Sequence, residues 1–141
     1  MRLVIGYSTA IVFVALALLH FYWAFGGGWG SGVSVPERNG RPAFTPGPVA
    51  AIAVGVLLLA AAVVILSRLG LDDGRLPRIV PGVGPWVLVV VFLLRAIGDF
   101  RLVGFFKVQG TGTAFAHWDT LLFSPLSLAL ALGCLAVALR R

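Results

Sequence analysis

Four long apolar runs set the pattern of this chain, over residues 3–25, 48–66, 85–106 and about 119–139, separated by stretches rich in glycine, proline and charge. Each run has the length an α-helix needs to cross a bilayer, roughly 20 residues at about 1.5 Å per residue. The pattern predicts an all-α integral membrane four-helix bundle, a single domain over residues 1–141, with a long extracytoplasmic loop between helices 1 and 2. Composition agrees: 60% of the 141 residues are hydrophobic and 11% charged, too apolar for a soluble domain of this length. Arg2 and the run behind it resemble the start of a secretory signal, but the run's length and the His20, Tyr22 and Trp23 at its end favour a retained first span.

The interruptions of that pattern carry the candidate chemistry. The third run holds Arg95, Asp99 and Arg101, and an unpaired ion inside a bilayer costs several kcal/mol. Counted from Pro85, Arg95 lies roughly 15 Å into the span, near the midplane. Asp99 follows four residues later on the same face, so an intrahelical Arg95 to Asp99 ion pair is expected, in competition with a polar site built on both. The order of the two charges is the less favourable one, which leaves Asp99 free to face His20 or the fourth helix. Arg101 lies on another side and nearer the surface, within reach of headgroups.

His20 and Trp23 share a helix face at the far end of the first run, with Tyr22 on another. An aromatic belt at the interface explains Trp and Tyr equally well. His117, Trp118 and Asp119 precede the fourth run at the same level, where Asp119 is also suited to an ordinary N-cap. Ser124-Pro125 either caps a shorter helix or kinks a longer one. The second run has no polar side chain before Ser67 and reads as scaffold. Small residues four apart, Gly6 with Ala10, Ala51 with Gly55 and Ala129 with Gly133, offer close helix packing. The connection over residues 26–47 carries Trp29 and Phe44 and is expected to cap the outer mouth of the bundle, with a floppy loop as the alternative. Gln109-Gly110-Thr111-Gly112-Thr113 lacks the Lys-Ser/Thr ending of a phosphate loop.

Charge sets the orientation. Arg2, Arg68, Arg75, Arg78, Arg140 and Arg141 fall on one side of a four-span chain, and Arg38, Arg41 and Lys107 on the other. This bias predicts both termini in the cytoplasm and a multi-pass protein of the cell inner (plasma) membrane. The net charge of +6 does not point to nucleic acid, because the basic residues form no stripe with interleaved aromatics. Cys134, the single cysteine, excludes an intramolecular disulfide and a CxxC redox motif, and reads as a packing residue.

Three stretches together carry a resemblance: His20-Phe21-Tyr22-Trp23-Ala24-Phe25-Gly26-Gly27, Arg95 through Phe106, and Phe115-Ala116-His117-Trp118-Asp119 followed by Ser124-Pro125-Leu126. The chain resembles a family of small four-span bacterial membrane proteins known only as a domain of unknown function. The resemblance implies the four-helix membrane architecture and no activity.

The polar groups of three separate segments converge in the outer half of the bundle, above an apolar inner half, which makes a cup for an amphiphile. The expected function is binding of a small lipid-like or isoprenoid-like molecule there, with acid/base chemistry as an extension. Asp99 and His20 are the candidate acid and base; Trp23, Tyr22, Arg95, Arg101, His117, Trp118 and Asp119 are the candidate ligand-binding residues. No metal or cofactor is predicted, a haem between His20 and His117 being a minor alternative. Expected partners are membrane lipids and the lipid-like ligand. The competing reading is a non-enzymatic accessory subunit of a larger complex or a small transporter that forms a homo-oligomer.

Overall fold

The first two helices keep the bounds of their apolar runs, while glycine and proline shift those of the third and fourth. The computed structural model describes residues 1–38 and 40–140. Helix α1 is Arg2–Ala24, α2 is Pro48–Arg68, α3 is Ile79–Ile97, α4 is the short Ala114–Trp118 and α5 is Ser124–Ala138. A widened π-helical turn, Asp119–Phe123, joins α4 to α5 into one span. Among the described residues four segments are long and apolar enough to cross a membrane: Leu3–Ala24, Pro48–Arg68, Ile79–Ile97 and Ala114–Ala138. The protein is a multi-pass membrane protein by that measure.

The third span therefore starts and stops earlier than its apolar run. Proline is tolerated in a first helical turn, where its missing N–H has no intrahelical partner. Pro81 lies there, so α3 opens at Ile79 and Pro85 falls inside it. At the other end Gly98 takes a left-handed φ of +92° and terminates the helix. The fourth span starts earlier too, at Ala114, and runs on through Ser124-Pro125. Pro125 has no N–H to give the carbonyl one turn before it, and a widened turn at that point relieves the clash of its ring.

The helices form a ring in the order α1, α2, α3, α5. The start of α1, the end of α5 and the 69–78 loop lie at one end, called here the terminal end; the segments that join α1 to α2 and α3 to α4 lie at the other, the loop end. From the middle of the bundle to the terminal end the interior is mostly apolar, with Phe13, Ile65 and Cys134 wholly buried and the hydroxyls of Thr9 and Ser67 donating back to the carbonyls of Ile5 and Val64. Small residues bring the helices together: a side chain on Gly133 would collide with the Thr9 hydroxyl, and one on Gly55 would meet the Phe21 ring. The terminal end is tied by arginines, Arg68 donating to the carbonyls of Ala138 and Arg140, and Arg140 to the carbonyl of Leu69 at 3.2 Å. Cations at helix C-termini are favourable against the helix dipole. The loop between α1 and α2 folds over the loop end, with a single helical turn at Ser31–Val33 and a two-stranded hairpin, β1 (Glu37–Arg38) against β2 (Arg41–Pro42).

Candidate functional site

Beyond Gly98 the chain doubles back on α3. Gly98 N–H donates to Leu94 O at 2.8 Å, Asp99 N–H to Val103 O at 3.2 Å and Phe105 N–H to Ala96 O at 2.8 Å. The Asp99 carboxylate holds this turn from inside the loop, its Oδ1 accepting from the N–H groups of Arg101, Leu102 and Val103 at 2.9, 2.8 and 3.0 Å. Partial burial works against the charge, but the donors from Val103, Arg101 and Leu102 outweigh it and hold the carboxyl below the usual carboxylate range. A side chain at Gly98 would strike the carbonyl of Val103, which is why this turn requires glycine.

The turn brings Gly104 and Lys107 to the fourth span. Asp119 there has no solvent exposure. Its Oδ1 accepts from Arg95 Nη2 at 2.9 Å, and its Oδ2 from Lys107 Nζ at 3.0 Å and Gly104 N–H at 2.8 Å. Lys107 is itself almost fully enclosed, donating also to Gly104 O at 3.0 Å and Thr120 Oγ1 at 2.7 Å. One buried carboxylate thus serves two cations, and the cluster carries an excess positive charge.

The expected Arg95 to Asp99 pair is replaced by Arg95 with Asp119. The spacing of four residues brings side chains together only while the helix continues, and Gly98 ends it between them. Nor does Asp119 cap a helix: Thr113 does, its Oγ1 accepting from Ala116 N–H at 3.2 Å. Arg95 is correspondingly two residues from the end of its helix, at the loop end of the span.

Beside this cluster a cleft of about 330 Å³ opens between the helices. His20, Trp23, Ser34, Arg95 and Ser127 form its polar lining, and Leu16, Leu58, Phe92 and Leu130 its apolar depth. The half-buried His20 donates from Nδ1 to Leu16 O at 2.8 Å, because a carbonyl only accepts. Its Nε2 is then the acceptor of the neutral ring. The imidazole stands edge-on to Trp23 at 5.0 Å, and Trp23 Nε1 donates to Trp29 O at 2.7 Å, fastening the long loop to α1. A second cleft of about 700 Å³ lies between that loop and the start of α2, and shares His20, Trp23, Ser34 and Val54 with the first. The two clefts adjoin at these shared residues.

The model of a family described as Protein of unknown function (DUF3995) matches residues 13–134. The chain belongs to that family. No curated protein and no solved structure matches it. In this DUF3995 protein the matched stretch contains the whole inner cleft and the Asp119 cluster.

Of the candidate residues, the fold brings His20, Trp23 and Arg95 to the cleft, with Asp119 behind Arg95. Asp99, Arg101, Tyr22, His117 and Trp118 line neither cleft. Asp99 and Arg101 lie in the exposed turn; Tyr22 and Trp118 are 48% and 43% exposed. His117 falls inside α4 rather than outside a helix, exposed and edge-on to Trp118. Each imidazole of the haem alternative thus has its own aromatic neighbour. Among the described residues no three His, Cys, Asp or Glu side chains converge as metal ligands would. Sequence reasoning missed Lys107 and Gly104, which stand twelve and fifteen residues from the carboxylate they serve.

Proposed function

We propose that this DUF3995 protein binds a small amphiphile in the inner cleft, its chain among Leu16, Leu58, Phe92 and Leu130 and its head beside His20 and Arg95. The observation that carries this reading is the polarity of that one recess, polar towards the loop end and apolar towards the bundle centre. Both cleft volumes fall in the range of small-molecule sites, about 300–1,000 Å³. The smaller one suits a single chain rather than a whole two-chain lipid. The recess under the 26–47 loop supplies a path for the head. In this reading the protein sits in the plasma membrane with both termini cytoplasmic, consistent with the arginines clustered at the terminal end. The loop-end cations Arg95 and Lys107 share the Asp119 carboxylate, which reduces their weight against that bias. For acid/base chemistry His20 is the better-placed group, since Nε2 belongs to a cleft-lining side chain and Asp99 does not line the cleft.

The test is native mass spectrometry of protein extracted gently from its membrane, wild type beside Leu16→Trp, a substitution that fills the apolar depth. A discrete small molecule retained by wild type and absent from the variant supports the reading. Ligand-free wild type, or equal retention by both, contradicts it.

A further inference from the structure

Resting on that reading, we infer that the head of the bound amphiphile is an oxyanion, a carboxylate or a phosphate monoester, held by the Arg95 guanidinium and by His20. Three observations lead there. First, Arg95 is the one formally charged side chain among the described residues lining the inner cleft, so the recess holds a cation and no carboxylate of its own. Second, the anion that should neutralise Arg95 is divided: Asp119 gives one oxygen to Arg95 and the other to Lys107 and Gly104, and all of its contacts are already made. Third, a guanidinium has five N–H donors, and among the described residues Arg95 donates only to Asp119, its enclosed Nη1 having no partner at all. An enclosed donor left unpaired is costly, and a planar fork with one side committed is suited to a bidentate or single-oxygen contact on the other.

The side chain lines the cleft and remains about one-third exposed, and in this proposal the guanidinium turns about its Asp119 contact to bring the unpaired edge to the head group. Asp119 then acts as the positioning residue, holding Arg95 at the loop end of the span. His20 adds discrimination. With Nδ1–H committed to Leu16 O, Nε2 accepts from a hydroxyl or protonated acid, and donates to an oxyanion when the ring is charged. A phosphate monoester that keeps one P–OH can use either form, and a carboxylate uses the charged ring or is held by Arg95 alone, whereas a quaternary ammonium head meets a guanidinium of its own sign. Glu37, which lines the outer cleft, is the carboxylate along the path, and it sits nearer the loop surface than Arg95 does.

The experiment measures binding of four probes of matched chain length, palmitate, hexadecyl phosphate, hexadecanol and hexadecyltrimethylammonium, to the purified full-length protein in nonionic detergent. The two anionic probes are expected to bind at least about tenfold more tightly than hexadecanol, the size of a charge-assisted contact, and the ammonium most weakly. Palmitate against hexadecyl phosphate distinguishes a fatty-acid source from a phosphate-bearing one. Arg95→Gln should remove the preference for anions while retaining hexadecanol, and Arg95→Lys should keep part of it. The wild-type comparison stands alone if either variant fails to fold. Binding of both palmitate and hexadecyl phosphate to wild type no tighter than that of hexadecanol overturns the oxyanion inference and leaves the amphiphile reading intact. Binding of none of the four overturns both.

Discussion

From the middle of the bundle to its terminal end the side chains without solvent contact include Phe13, Ile65 and Cys134; at the loop end Asp119 is among them. The same ring of helices is closed by different means at its two ends. The terminal half relies chiefly on matched shape, as where Gly133 lets Thr9 approach, besides the arginine ties at its edge, and apolar swaps that conserve volume usually cost little there. The polar end needs a count of donors: three N–H sources from α3 and its following turn meet one carboxylate from the fourth span. A buried ion pair is a weak source of net stability, and in the proposed reading this arrangement has a second use, placing Arg95 beside the inner cleft. The loop end is where a ligand can be specified.

Four substitutions sharpen the contrast. Asp119→Ala should have the largest effect, leaving Arg95 and Lys107 enclosed without their anion and costing about 3–5 kcal/mol. It should lower the thermal midpoint in detergent and abolish ligand retention together. Ile65→Ala should cost a comparable or smaller amount, about 2–5 kcal/mol from the lost contacts and the cavity. Native mass spectrometry should nevertheless find ligand retention unchanged in that variant, because its cavity lies at the other end. Gly98→Ala should follow at roughly 1–3 kcal/mol, the scale of local backbone strain. Limited proteolysis should then cut within residues 98–107, where the turn has opened.

Asp99→Asn should be mildest, and its effect should depend on pH. The folded pKa of Asp99 lies below its ordinary value, so the carboxylate stabilises the fold above the unfolded value of about 3.9. That contribution fades as pH falls through the lower folded value. Wild type and Asp99→Asn should therefore differ in thermal midpoint at neutral pH and converge under acid; a constant gap would mean the carboxylate charge is irrelevant to the turn.

Much of this was legible in the sequence. The four spans follow from run length, but counting from Pro85 puts Arg95 near the midplane, and it reaches the level of His20 and Asp119 only because α3 opens at Ile79 and stops at Ile97. The partner of Arg95 was not legible from spacing alone, because spacing of four presumes an unbroken helix and Gly98 breaks it. A local signal existed: a glycine directly before Asp99, and a second at Gly104, mark a helix stop and a turn. Thr113 ahead of Ala-Phe-Ala was likewise a cap signal that released Asp119 from that duty. Lys107 left no local trace, since its place depends on how residues 98–106 fold back. It read equally well as a topology charge.

The most direct measurement is photolabelling of the membrane-embedded protein with a fatty acid that carries a diazirine in its chain, followed by peptide mapping. The account predicts label concentrated on Leu16, Phe92 and Leu130, competed away by excess palmitate, with little on the outward-facing Val56, Val90 and Leu132. Label spread over those outward residues and indifferent to competitor would contradict it, and would return the loop-end cluster to a purely structural role.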